Sequence, residues 1–87
     1  TNIGKTFAKL GDLNQALDYL LQAVPLRQLV GDRRGEGVTW HNIAKVYEQM
    51  GDVEKAIEAT QKAIEITYEH DFNIATYRET LTRLREG

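Results

Sequence analysis

The chain has 87 residues, which is the length of one small domain and leaves no room for a deep enzyme cleft. Acidic and basic residues are interspersed and give a formal net charge of −2, which argues against a dedicated binder of nucleic-acid phosphates. The absence of cysteine excludes disulfide frameworks, thiolate metal sites and thiol nucleophiles. No apolar run approaches the roughly 18 residues that span a bilayer, and the first residues do not form a signal peptide. We therefore expect a cytoplasmic protein without a membrane or nucleic-acid partner.

The first predicted helix is short and ends at a glycine. Ile3, Phe7 and Leu10 follow the i, i+4, i+7 spacing of one helix face. Gly11 suits the left-handed residue that ends a helix, and Asp12 suits the N-cap of the next helix. These residues predict a helix, a tight turn and a second helix.

The second predicted helix follows this turn. Its apolar face is formed by Leu13, Ala16, Leu17, Leu20, Ala23 and Val24. Pro25 removes a backbone donor and crowds the preceding turn, so we expect a bend there, with the helix continuing to about Leu29.

The next two predicted helices repeat the first two at an offset of 40 residues. Trp40, Ile43, Tyr47 and Met50 form the stripe of the third helix, and Gly51-Asp52 repeats the turn. The fourth helix carries Val53, Ala56, Ile57, Ala63 and Ile64 at the positions of the second. Self-similarity at this period indicates stacked repeats, each of which is a helical hairpin.

A fifth helix is predicted from about residue 73 to residue 86, with no turn or partner helix after it. Its polar residues outnumber its apolar ones, as expected of a capping helix that covers the core and faces water. The predicted domain is thus a single unit, 1–87, with repeat 1 at about 1–31 and repeat 2 at about 32–70. Repeat 1 begins late, so we expect the sequence to be a piece of a longer protein.

The repeated residues resemble the tetratricopeptide repeat family. The family's order of aromatic, aliphatic, small, aromatic, turn and two spaced alanines is met by Trp40, Ile43, Ala44, Tyr47, Gly51, Asp52, Ala56 and Ala63. The first unit matches it at Ile3, Gly4, Phe7, Gly11, Asp12, Ala16 and Ala23. The period of 40 exceeds the usual 34 of the family and is similar to its long-repeat variety, found in larger bacterial and signalling proteins. The resemblance implies an all-α solenoid of two hairpins and a capping helix, five helices in all.

The resemblance also implies a function, because the first helices of successive family repeats line a concave groove that binds peptide segments. The matching residues here are Lys5, Lys9, Val38, His41, Asn42, Lys45, Glu48 and Gln49. This set is cationic on balance, which favours an acidic peptide, and Arg83 of the last helix is a further candidate. The resemblance therefore implies a non-catalytic scaffold that binds a protein or peptide, with no cofactor and no small-molecule substrate.

Two alternatives stay open. The first is self-association, because the N-terminal edge formed by Ile3 and Phe7 is uncovered and can pair with a second chain or exchange a helix with it. The second is that the lysines only solvate the groove. A catalytic or metal role for Glu54, Glu58, Glu65 and Glu69, or for His41 and His70, is disfavoured, because their spacing is that of solvated helix surfaces and helix ends.

Overall fold

Four helices follow one another in the structure, a computed structural model that describes the backbone of residues 2–86 and the side chains of residues 11–86. They are α1 (Asn2–Leu29), α2 (Arg33–Gln49), α3 (Val53–Ile66) and α4 (Asn73–Glu86). Each packs against the next along the chain. No strand occurs between residues 2 and 86, so the predicted all-α class is confirmed.

The prediction of five helices is wrong, because α1 runs without interruption through Gly11 and Asp12. Gly11 has no positive φ, and Asp12 is exposed inside the helix rather than capping a new one. The two helices predicted for the first repeat are therefore one helix of 28 residues. Its end at Leu29, with Pro25 inside it, agrees with the prediction.

The physical reason is that a turn needs tertiary packing as well as suitable residues. A glycine inside a helix costs roughly 1 kcal/mol relative to alanine, which does not by itself end a helix. A break also loses backbone hydrogen bonds, and only burial of the returning helix compensates for them. Over residues 2–29 the chain keeps the hydrogen bonds of one continuous helix instead.

Glycine does end a helix at the other two Gly-Asp pairs. Gly31 has a φ of 73° and Gly51 a φ of 85°. At each turn the glycine and aspartate N–H groups donate to carbonyls of the preceding helix, as in a Schellman motif. The Asp32 and Asp52 carboxylates then accept N–H groups of α2 and α3, as N-caps do. The predicted turn at Gly51-Asp52 is confirmed.

The core lies between α2 and α3, with contributions from α1 and α4. Ile43 and Ala56 are fully buried, and Ala44 is 1% exposed. Val24 of α1 and Leu84 of α4 belong to the same apolar cluster. The hairpin predicted for the second repeat is therefore present, with its small alanines where two helices approach closely.

The last helix, α4, has the bounds that the sequence predicted. Ile74, Tyr77 and Leu84 are its buried residues. Asp71 orders the connection from α3, because its carboxylate accepts the Asn73 N–H at 2.9 Å and the Arg34 Nε–H at 2.8 Å. The capping role predicted for α4 in a stack of two hairpins is not matched, since only one complete hairpin, α2–α3, precedes it.

The same substitution is expected to have opposite effects at two of the three Gly-Asp pairs. Gly11→Ala should stabilise the chain by about 1 kcal/mol, because Gly11 is helical and a Cβ there would meet no atom within 4 Å. Gly51→Ala should destabilise it by about 1 kcal/mol, because its φ of 85° is strained for alanine. Urea denaturation of both variants gives the sign of the change in the free energy of unfolding for each. Destabilisation by Gly11→Ala would contradict a continuous α1.

Candidate protein-interaction surface

The residues predicted to line the groove divide between two sides of α2. His41 and Glu48 are seven residues apart and face α4. Val38 and Asn42 line an open groove beside α1. Lys45 and Gln49 continue the helical spacing of Val38 and Asn42, and both are exposed. The structure thus separates polar residues that the sequence placed in one set.

His41 is buried between α2 and α4, which corrects the expectation that it is a surface residue. Its side chain is 7% exposed, and its Nε2 lies 3.0 Å from the Thr80 Oγ1. The ring centroids of His41 and Tyr77 are 4.7 Å apart. Burial lowers the pKa of His41 below its ordinary value, and the charges of Lys45 and Arg83 lower it further. A neutral His41 therefore belongs to the α2–α4 contact.

Glu48 also contacts α4, through a two-pronged ion pair. Arg83 donates from Nη1 to Glu48 Oε2 and from Nη2 to Glu48 Oε1, the latter at 3.0 Å. The hydrogen bond from Arg83 lowers the pKa of Glu48 below its ordinary value. Because each side chain neutralises the charge of the other and satisfies its hydrogen-bonding groups, Glu48 and Arg83 hold α4 in place on this side of α2.

The open groove lies between α1 and α2 and has a volume of about 480 Å³. Tyr19, Leu20 and Ala23 of α1 form one wall, and Val38 and Asn42 of α2 form the other. Tyr19 is 74% exposed and Val38 is 40% exposed. The groove therefore offers apolar surface together with one amide side chain, which suits a peptide segment.

Charged residues close the end of the groove near the α1–α2 turn. Arg27 Nη1 lies 3.0 Å from Asp32 Oδ2, and Arg34 Nε lies 2.8 Å from Asp71 Oδ2. The N–H of Asn73 and the Arg34 guanidinium lower the pKa of the Asp71 carboxyl below its ordinary value. These two arginines are thus partly neutralised, whereas Lys45 forms no ion pair with the described side chains.

The remaining predicted residues lie at the N-terminal end of α1. The side chains of Lys5, Lys9, Ile3 and Phe7 are outside the described residues. Their backbone belongs to α1. The 17 residues of α2 span about 25 Å at 1.5 Å per residue, so α2 runs beside the later part of α1 only. Whether Lys5 and Lys9 belong to the same surface as Asn42 and Lys45 therefore stays a prediction.

Sequence reasoning missed the α1 wall of the groove. Leu20 and Ala23 were expected to lie against the first helix of their own hairpin, and no role was predicted for Tyr19. The only signal of their exposure is Tyr19 itself, which stands where the second repeat has Ala59. A large aromatic residue at that position does not suit a close contact between two helices.

Residues 11–86 were also considered for a metal site and the described helices for a membrane span, and neither is present. No group of three or more His, Cys, Asp or Glu side chains lies in a metal-binding arrangement within residues 11–86. Over the part of the chain that the structure describes, no helix combines the length and the apolar character needed to cross a membrane.

The geometry of the α2–α3 hairpin agrees with a comparison against protein families. The family model described as tetratricopeptide repeat matches residues 1–69. The chain belongs to the tetratricopeptide repeat family. Comparisons with curated proteins and with solved structures found no match. Tetratricopeptide repeats are in general non-catalytic scaffolds for protein–protein interaction.

Proposed function

We propose that this tetratricopeptide repeat chain is a protein-interaction module and that it binds a peptide segment of its partner in the α1–α2 groove. The observation that carries the proposal is the open groove itself. One wall is the half-exposed to exposed surface of Tyr19, Leu20 and Ala23, and the other is formed by Val38 and Asn42. Stacked helical repeats present extended surfaces of this kind to their partners.

The charges favour an acidic segment. Lys45 is exposed and lies one helical turn beyond Asn42, where a carboxylate of a bound peptide can reach its ammonium group. Arg27 and Arg34 add positive charge at the other end of the groove, although each has an aspartate partner. Asn42 can donate to and accept from a peptide backbone because its amide has both kinds of group.

The other members of the predicted set have distinct parts in the proposal. Gln49 extends the open side of α2 beyond Lys45. His41 and Glu48 act through α4: their contacts with Thr80 and Arg83 fix its position rather than touch the peptide. Lys5 and Lys9 contribute to the same cationic surface only if a helix carrying them lies beside α2.

The first experiment selects peptides on the chain from a random display library and measures the tightest one by calorimetry. We expect the selected peptides to be enriched in Asp and Glu. Lys45→Glu should weaken binding of the selected peptide by about five- to tenfold, because it replaces an attraction by a repulsion at a partly screened site. Thermal stability should be unchanged, since Lys45 is exposed and has no ion-pair partner among the described side chains.

The matched control is Lys55→Glu on α3. Lys55 is 60% exposed and follows the N-cap Asp52, a position at which glutamate is well tolerated. This variant has the same change of net charge but leaves the groove intact, so its affinity should match that of the unchanged chain. Equal affinities for all three proteins would remove the groove as the binding site.

Self-association is a second candidate function, and one observation favours it. The α1 wall of the groove is uncovered although the corresponding face of α3 is covered, so a helix from another chain fits the same place. A cytoplasmic location accords with either function and is part of the proposal.

A further inference from the structure

A second pocket lies on the side of α2 that faces away from the α1–α2 groove. Its volume is about 400 Å³, and its walls come from the end of α1, the start of α2 and the end of α3 through Gln28, Gly31, Arg33, Glu36, Ile66 and Tyr68. Arg33 and Glu36 share one face of α2, whereas Val38 and Asn42 lie on the opposite face. The pocket is therefore separate from the proposed peptide groove, although Arg27 borders both.

Glu36 is a buried carboxylate in this pocket that lacks a cationic partner. Its residue is 9% exposed. Its Oε2 accepts hydrogen bonds from Gln28 Nε2 at 2.9 Å and from Trp40 Nε1 at 3.2 Å, and both donors are neutral. None of the ion pairs among the described side chains includes Glu36. Because an ionised carboxylate is costly to bury unless it is paired, the charge of Glu36 is only partly compensated.

The second carboxylate oxygen of Glu36, Oε1, is open to the pocket. It accepts none of the side-chain hydrogen bonds formed by residues 11–86. No buried side-chain oxygen or nitrogen in that range lacks a partner, so Oε1 is not enclosed by protein. Since Glu36 lines the pocket, a donor group of a bound ligand can reach this oxygen.

Arg33 supplies the opposite charge on another wall of the pocket. Its guanidinium carbon lies 4.6 Å from the centre of the Tyr68 ring, and its Nε donates to the Ile66 carbonyl. These contacts orient the guanidinium, but its Nη groups have no carboxylate partner among the described side chains. A guanidinium with free Nη donors binds a carboxylate through two parallel hydrogen bonds.

The pocket thus has one unpaired charge of each sign, because Arg33 and Glu36 line it without forming an ion pair with each other. Arg27, the other cation at its edge, already pairs with Asp32 at 3.0 Å. A ligand with one ammonium and one carboxylate group satisfies both open charges, whereas a ligand with a single charge leaves the other without a partner.

We propose that this pocket binds the zwitterion of a free α-amino acid with an apolar side chain. The ammonium group pairs with Glu36, the carboxylate pairs with Arg33, and the side chain packs on Ile66 and the half-exposed Tyr68 ring. The proposal goes beyond the proposed function, because it assigns a small ligand to the opposite side of α2. The amino acid is a bound ligand, and no reaction is assigned to it.

The test is titration of the isotope-labelled chain with leucine, followed by nuclear magnetic resonance of the backbone amides. We expect a dissociation constant of about 1 mM, because a small ligand in an open pocket makes few contacts. The amide signals of Gly31, Arg33 and Tyr68 should shift. N-acetylleucine lacks the ammonium charge and leucinamide lacks the carboxylate, so each should bind about tenfold more weakly than leucine.

Two variants test the two charges separately. Glu36→Gln keeps an acceptor for Gln28 and Trp40 but removes the negative charge, and Arg33→Gln removes the positive charge. Each should weaken leucine binding by about tenfold. Glu36→Gln should also abolish the preference for leucine over N-acetylleucine, and Arg33→Gln the preference for leucine over leucinamide. A loss of packing alone would not produce these two separate changes of preference.

The matched controls are Glu54→Gln and Arg78→Gln, which make the same charge changes at exposed positions outside the pocket. Both should bind leucine as the unchanged chain does. Circular dichroism should show that all four variants remain helical. Because the two leucine derivatives are compared on the unchanged chain, the proposal stays testable even if one variant does not fold.

Three results would overturn the proposal. The first is the absence of amide shifts with leucine at concentrations well above 1 mM. The second is equal binding of leucine and either derivative, which would mean that one of the two charges is not used. The third is shifts at Asn42 and Lys45 in place of Arg33, which would put leucine in the α1–α2 groove. Binding of the acidic peptide depends on Lys45 and is measured separately, so the proposed function does not depend on these results.

Discussion

Replacement of Ile43 by alanine is expected to lower the free energy of unfolding by about 3 kcal/mol or more. Ile43 is fully buried, and it packs in the cluster that Val24, Ala56 and Leu84 share. Removing three buried carbons loses their transfer free energy and leaves a cavity that helices from three sides cannot all close. For a domain of this size, the change removes a large part of its total stability. Urea denaturation followed by circular dichroism gives the value.

Val53→Ala provides the comparison for Ile43→Ala. Val53 is the first residue of α3 and is 41% exposed, so its truncation should cost less than about 1 kcal/mol. If the two variants lost equal stability, Ile43 would not be at the centre of a packed core, and the arrangement of α1, α3 and α4 around it would be contradicted.

Ala63→Leu is expected to destabilise the chain by about 2 kcal/mol, whereas Ala23→Leu should change stability by less than about 0.5 kcal/mol. Both alanines occupy the same position of the repeat. Ala63 is fully buried between α3 and α2, where a Cβ on Gly37 would already approach the Ala63 carbonyl to 3.8 Å. A leucine there must push the hairpin apart, whereas a leucine at Ala23 extends into the open groove.

An equal loss of stability in the two alanine variants would mean that Ala23 is as closely covered in solution as Ala63. That result would contradict the open groove between α1 and α2.

The arrangement around α2 separates structural from binding roles on one helix. Its side toward α4 is satisfied within the chain, by the His41–Thr80 contact and the Glu48–Arg83 ion pair. On its other side, α2 borders the open groove that it forms with α1, and Asn42 and Lys45 are available there to a partner. Substitutions on the first side are expected to act through the position of α4, and those on the second side through the affinity for the partner.

The sequence by itself determined the helical class, the family and the second hairpin. Helical spacing identified the buried stripe of α2, and Gly51 and Asp52 ended one helix and began the next as their chemistry predicts. These features follow from local conformational preferences and from burial patterns within one hairpin. They can be derived without knowing what lies on either side of it.

Only the tertiary structure decided whether a Gly-Asp pair becomes a turn and which polar residues remain open. Gly11-Asp12 and Gly51-Asp52 have the same local preferences, but these amount to roughly 1 kcal/mol and do not end a helix without packing. Residues 33–49 pack their apolar stripe against α3, whereas residues 2–10 continue α1. Likewise, the spacing of α2 placed His41 and Lys45 near one another, and only the packing of α4 buried His41 while Lys45 stayed exposed.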